Sequence, residues 1–267
     1  MIERVDGLAD PRLAAYSHVG DHHWLRRHAL FVAEGRLLVQ RLIDAAHHDI
    51  ESIVVTPAAL ASLSDALDRA RCPVFVLPAP ALASLTGIDF HRGCLAIARR
   101  PADEPRVDTL ATASRFLAVE GVANPDNIGG LFRVAAAFDA AMLLDPASAD
   151  PLYRKALRTS MGAALTVPFA RVAPWPSALE VLRAPGLVFV ALTPDKSAVP
   201  IDTFAATLVS GSRIVLMLGS EGQGLSDGAF AVADVKVRIP TSSAVDSLNI
   251  VVAAGIALAM LAKPMLR

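Results

Sequence analysis

Histidine is absent from the last two thirds of this 267-residue chain: all seven lie at or before His91. Chemistry carried by the later residues therefore has no imidazole as proton acceptor. Cysteine is nearly absent too. Cys72 and Cys94 are the only two, without C-x-x-C spacing, which argues against a zinc site or a disulfide framework and for two reduced core thiols. The adjacent pairs His22-His23 and His47-His48 lack the i, i+4 spacing of helical metal ligands and read as surface residues, so no metal is expected. No long hydrophobic run exists, although 54% of the residues are hydrophobic and the mean hydropathy is +0.46. The longest apolar stretch, Ile250 to Ala262, falls short of the ~18 residues a spanning helix needs. The opening MIERVDGLADPRL has no apolar core of a secretory signal. The expectation is a cytoplasmic protein without a membrane segment. A large parallel sheet explains the apolar content, because strands covered on both faces read as continuous Val/Ile/Leu runs.

Lysine is the fourth scarcity. The 25 basic residues comprise 21 Arg and only 4 Lys, against 26 acids, giving a net charge of −1. The near-neutral total counts mildly against nucleic-acid binding, because phosphate contacts need Lys and Arg, and genome composition explains much of the arginine excess. It still leaves room for a local patch of arginines, which bind phosphate bidentately and stack on bases. Also missing are G-x-G-x-x-G after a strand, G-x-x-x-x-G-K-[ST] and G-x-S-x-G. Their absence argues against dinucleotide binding, phosphate-loop hydrolysis and serine hydrolysis.

What is present alternates. Strand-like segments at 29–33, 50–56, 72–78 and 93–99 trade places with helical ones at 34–46, 57–70 and 80–87. This predicts a compact α/β/α unit over residues 1–105. A mixed-charge stretch with two prolines, 99–114, reads as a linker. Residues 112–267 repeat the alternation with stronger strands at 116–120, 140–145, 186–193, 213–220 and 235–240. Helices are predicted near 127–138, 153–163, 177–183 and 247–262. Strands separated by helices imply a mostly parallel sheet.

Three polar clusters follow strands, at the edge where open α/β sheets bind ligands. The first is Glu120-Gly121-Val122-Ala123-Asn124-Pro125-Asp126-Asn127, then Ile128-Gly129-Gly130 and Arg133. Asn127 suits a helix cap. Arg133, about two turns into the helix, either snorkels to solvent or aims into a site. The second is Leu218-Gly219-Ser220-Glu221-Gly222-Gln223-Gly224, which reads as a simple strand-to-helix turn or as backbone built to approach a ligand. The third is Ile239-Pro240-Thr241 followed by Ser247-Leu248-Asn249. Ser247 is the expected N-cap of the final helix; Asn249 has no evident structural reason to be there.

In this order the clusters resemble the SpoU/TrmH family of RNA 2′-O-ribose methyltransferases, within the SPOUT superfamily. Asp150-Pro151 and Arg158-Thr159-Ser160-Met161-Gly162-Ala163 add to the likeness, which spans about residues 116–262. Phe31-Val32-Ala33-Glu34-Gly35 and Gly93-Cys94-Leu95-Ala96 resemble the ribosomal-protein-like RNA-binding domain often fused ahead of it. The sequence departs from the family at Thr241-Ser242-Ser243, where Met and a nearby Gly are usual, and at Asp139, where Gly is common.

The resemblance implies a C-terminal trefoil knot, a homodimer, an RNA substrate (ribosomal or transfer) and S-adenosylmethionine as methyl donor, without a metal. It implies Arg133, Asn127, Glu221, Ser247 and Asn249 as catalytic residues. Thr193, Leu218, Gly219, Ile239 and Leu248 would hold the cofactor. The adjacent histidine pairs are then surface or RNA-facing. The alternative is an inactive RNA-binding or assembly factor with the same fold, against which retention of Arg133, Glu221 and Asn249 argues.

Overall fold

Val/Ile/Leu runs of five or six residues extend as strands, and the helices between them cover both faces. The computed structural model describes residues 2, 3, 5, 7–87, 93–101, 106–209, 211–242 and 247–261. His91, Ser243 and part of the expected linker lie outside the described residues. Residue contacts divide the chain into two units: Met1–Asp103 with Leu152–Thr166, and Glu104–Pro151 with Val167–Arg267.

The first unit runs β1 (Ile2–Glu3), a 3-10 segment Pro11–His18, α1 (His22–Arg27), β2 (Leu30–Glu34) and α2 (Arg36–Ala45). It continues through β3 (Ile50–Val55), α3 (Pro57–Leu67), β4 (Val74–Val76), α4 (Ala79–Thr86) and β5 (Cys94–Arg99). The sheet order is β1-β4-β3-β5-β2. β5 lies antiparallel to both β3 and β2, and the other pairs are parallel. Ile53, Val54 and Val55 are all fully buried, as a strand covered on both faces requires. Thr56 caps α3, its Oγ1 accepting the Ala59 N–H at 3.3 Å, and Pro57 supplies the first helical turn. Cys72 and Cys94 are buried thiols outside any disulfide, and burial pushes them up to about 11 and about 12.

The second unit begins its sheet with β6 (Arg115–Glu120), α5 (Pro125–Ala137) and β7 (Ala141–Leu144). The chain then contributes α6 (Arg154–Thr159) to the first unit. It resumes with β8 (Phe169–Arg171), β9 (Leu187–Leu192), β10 (Val199–Pro200), α7 (Ile201–Thr207), β11 (Arg213–Gly219), α8 (Asp227–Val232), β12 (Val235–Arg238) and α9 (Ile250–Leu261). The seven strands pair in parallel in the order β10-β12-β9-β11-β6-β7-β8. Phe116, Leu117, Ala118 and Val119 are fully buried, with Phe189, Val215 and Met217 on neighbouring strands. The expected mixed α/β architecture with a mostly parallel sheet is what forms.

Several local expectations need correction. The helix expected at 153–163 breaks after Thr159, because Met161 (φ 53°) and Gly162 (φ 84°) turn left-handed; a 3-10 turn, Ala163–Leu165, follows. Residues 177–182 form a 3-10 rather than an α segment. His48 is half-buried rather than a free surface residue. Its Nε2 lies 2.9 Å from the Leu165 carbonyl, and its ring packs edge-on to Phe31.

Candidate active site

Register across the parallel sheet sets the site's base. Gly219, the last residue of β11, pairs with Glu120, the last of β6. On the other side β11 pairs with β9, and the Thr193 N–H beyond β9 donates to the Val237 carbonyl of β12 at 2.9 Å. The carboxyl ends of β6, β11, β9 and β12 thus follow one another along one sheet edge. Thr193, Leu218, Gly219 and Ile239 all sit there. Leu218 is buried, while Thr193, Ile239 and Leu248 are half-buried.

The turn after β11 is tight. The Gly224 N–H donates to the Ser220 carbonyl at 2.9 Å. A Cβ on Gly219 would stand 1.9 Å from the Gly224 carbonyl carbon, so only glycine permits this approach. The turn leads into α8, where Ser226 caps the helix and its N–H donates to Glu120 Oε2 at 2.9 Å. Glu120 therefore ties the end of β6 to the start of α8, a role the sequence reading left unassigned.

Asn124, not Asn127, caps α5: its Oδ1 accepts the Asp126 N–H at 2.9 Å. Asn127 lies within the first turn and is buried. Ser247 is likewise not the cap of α9. Asn249 is: its Oδ1 accepts the Val251 N–H at 3.0 Å, and its carbonyl accepts the Ala253 N–H at 2.9 Å. Asn249 thus has the structural reason that the sequence did not reveal. Ser247 is exposed and has no hydrogen bond among the described residues.

The amide of Asn249 joins the three clusters. Its Nδ2 donates to Glu221 Oε1 at 2.8 Å and to Asn127 Oδ1 at 3.3 Å. Residues 122 positions apart therefore meet on one nitrogen. Close packing of α5 on α9 makes this possible: a Cβ on Gly130 would come within 2.7 Å of a Val251 methyl. Arg133 is not drawn into this network. It is exposed, without an ion pair or hydrogen bond among the described residues. At ~100° per residue, Asn127, Gly130 and Val134 form the face toward α9, and Arg133 falls outside it.

Two buried residues also missed in the sequence fix the loop after β6. Ser148 Oγ accepts the Val122 N–H at 3.3 Å, and Asp145 Oδ1 accepts the Ser148 N–H at 2.8 Å. Their signal was Asp145 closing an apolar strand. Asp139 adopts φ 58°, so it reproduces the left-handed turn where the family usually has glycine.

Among the described residues, no group of three or more His, Cys, Asp and Glu could hold a metal, and no helix is long and apolar enough to cross a membrane.

Comparison with known proteins agrees with this architecture. The SpoU rRNA Methylase family model matches residues 114–259. An uncharacterized tRNA/rRNA methyltransferase of Mycobacterium bovis is 42% identical over 231 residues, covering 86% of this chain and 79% of the relative. A 23S rRNA (guanosine-2′-O-)-methyltransferase, RlmB, of Burkholderia sp. is 30% identical, covering 71% of this chain and 76% of the relative. The fold is similar to an AdoMet-bound rRNA methyltransferase from Sinorhizobium meliloti: TM-score 0.80, 23% identity, 97% of each chain covered.

Proposed function

The chain belongs to the SpoU rRNA methylase family, and from that premise we propose that it methylates the 2′-hydroxyl of a ribose in structured RNA, ribosomal or transfer, using S-adenosylmethionine. One observation carries the reading. Three motif clusters, far apart in sequence, converge on the Asn249 amide at the carboxyl edge of the sheet, with a free guanidinium on the same helix as Asn127.

The residues present suit the cofactor. The Ser220–Gly224 turn has open space beside Gly222 and Gly224. Half-buried Ile239 and Leu248 offer apolar surface to an adenine, while Thr193, Leu218 and Gly219 bring backbone groups to the strand ends. When bound, S-adenosylmethionine supplies the methyl group. Everything else falls to the chain. A guanidinium stays protonated in proteins. Arg133 therefore acts by holding a substrate phosphate and stabilising charge as the hydroxyl proton leaves, rather than as a free base. Asn127, Glu221 and Asn249 form a fixed polar wall that orients the ribose, with Ser247 beside it in sequence.

The family's knotted topology and homodimer belong to the same proposal. Exposed Val252 and Met260 on α9, 50% and 36% accessible, support a second copy covering that helix. Residues 1–105 are proposed as an RNA-binding domain and 112–267 as the catalytic domain, in a cytoplasmic enzyme.

The test is Arg133→Ala, with Arg133→Lys beside it. Calorimetry should show cofactor binding retained in both. Tritium transfer to RNA should fall by at least a hundredfold, on the order of what a lost oxyanion donor costs. Lysine should rescue little, since it lacks the bidentate fork. In wild type the label should appear in alkali-resistant dinucleotides, because a methylated 2′-oxygen cannot cleave the adjacent phosphodiester. Full activity in Arg133→Ala would remove the mechanism, and label in base-treated mononucleotides would remove the ribose assignment.

A further inference from the structure

Within the first unit, three rings form one column. His18 stacks on Trp24 with centroids 4.1 Å apart and planes 11° from parallel. His28 stacks on the other side of Trp24 at 3.8 Å and 21°. Local structure holds the column. Asp21 caps α1 by accepting the Trp24 N–H at 2.9 Å, and that bond keeps its carboxyl below its usual range. Trp24 and His28 are i and i+4, hence on one helix face. The Trp24 carbonyl accepts from His28 Nδ1 at 2.8 Å, which orients the outer ring. Buried Leu25 anchors α1 to the core, against which Trp24 also packs.

The column is half-buried at His18 and Trp24 and exposed at His28. Among the described residues no further ring covers the outer face of His28. Arg27, at i+3 from Trp24, lies on the same helix side; it is exposed and ion-paired to no described residue. Trp24 has an evident structural role, but an exposed imidazole extending its stack beside an exposed guanidinium that acts on the Asp21 carboxylate only through space does not. A flat ring face next to a cation is complementary to a nucleotide: the base stacks and the phosphate pairs.

We propose that His28, backed by Trp24 and His18, is a stacking platform for an unpaired base of the RNA substrate, with Arg27 taking the neighbouring phosphate. The proposal rests on the RNA-methyltransferase reading and adds to it how the first unit selects RNA: by an unstacked nucleotide rather than by a duplex. His28 is the residue to change, because it is exposed and the core does not depend on it.

The test uses the full-length protein and two probes, a stem–loop RNA with a purine-rich loop and a fully paired duplex of equal length. His28→Ala should weaken stem–loop binding about tenfold, the lower part of the range for one base–aromatic stack, and leave duplex binding unchanged. His28→Tyr should restore it. Arg27→Gln should lower the slope of log affinity against log salt by about 0.7, the value for one phosphate contact on a single strand. Cofactor binding should be unaffected in all three. Equal stem–loop affinity in His28→Ala and wild type, or an equal loss on both probes, overturns the platform while leaving the enzymatic reading intact. Wild-type protein that neither binds nor methylates RNA overturns the enzymatic reading and the platform with it.

Discussion

Asn249→Asp separates the two jobs of the residue that joins the site. The aspartate keeps an oxygen for the Val251 N–H, so the helix cap, about 1 kcal/mol, survives. A negative charge at the start of α9 even gains about 0.5 kcal/mol from the helix dipole. What is lost is the Nδ2 donor. Glu221 Oε1, which accepted it at 2.8 Å, now faces a second carboxylate. Both side chains are exposed, so the repulsion is near the aqueous value of about 1 kcal/mol rather than the interior one. Asn127 is buried and loses the partner of its Oδ1, at about 1–2 kcal/mol. The net is a destabilisation of about 2 kcal/mol. Denaturant unfolding should show it, together with loss of methyl transfer. Adding Glu221→Gln should return about 1 kcal/mol, and high salt should shrink the same portion. Wild-type stability in Asn249→Asp would refute the reasoning, as would a deficit that Glu221→Gln leaves untouched.

The other predictions are more local. Gly219→Ala places its Cβ 1.9 Å from the Gly224 carbonyl carbon, so the turn must move; calorimetry should show cofactor binding lost, with stability lower by about 2 kcal/mol. Ala46 closes α2 with φ 56°; Ala46→Gly should relieve about 1 kcal/mol and raise the melting temperature by a few degrees. Burial lowers the pKa of His48 from 6.5. The unfolded chain then binds the proton more readily, so stability present above 6.5 is lost as pH falls toward the lowered folded value. Denaturant unfolding should show a smaller loss over that range in His48→Gln.

The major strands were legible because their apolar runs are continuous. β6 and β11 are buried on both faces, and that pattern has few alternatives. The edge strands were not: β1, β8 and β10 span two or three residues, too few to show a period. The break in the expected 153–163 helix was hidden because Ala163, Ala164 and Leu165 continue the apolar pattern into the core. The decisive event is the left-handed backbone at Met161, a residue with no preference for it. The candidate site was legible as three clusters in order, but not as a network. Ser247 and Asn249 are equally good caps by residue type. What favours Asn249 is an amide that also donates, and its acceptors lie 28 and 122 positions away.

Helix α5 shows how fold and chemistry divide one element between them. Ile128, Leu131, Phe132 and Ala135 are fully buried, and the Gly130 face carries α9. Arg133, Ala136 and Ala137 make up an exposed strip that packing leaves open. The two alanines, at i+3 and i+4 from Arg133, are too small to cover its guanidinium. A cation there contributes nothing evident to stability, and no described acid fixes it in place. Its geometry must then come from what binds. The rigid part of the site is the Asn127–Asn249–Glu221 wall, held by the first turn of α5, the cap of α9 and the turn after β11. On the proposed function, Arg133 would complete the site when an anionic ligand sits across that wall, and a substrate phosphate would then help to assemble the site beside the ribose it is proposed to modify.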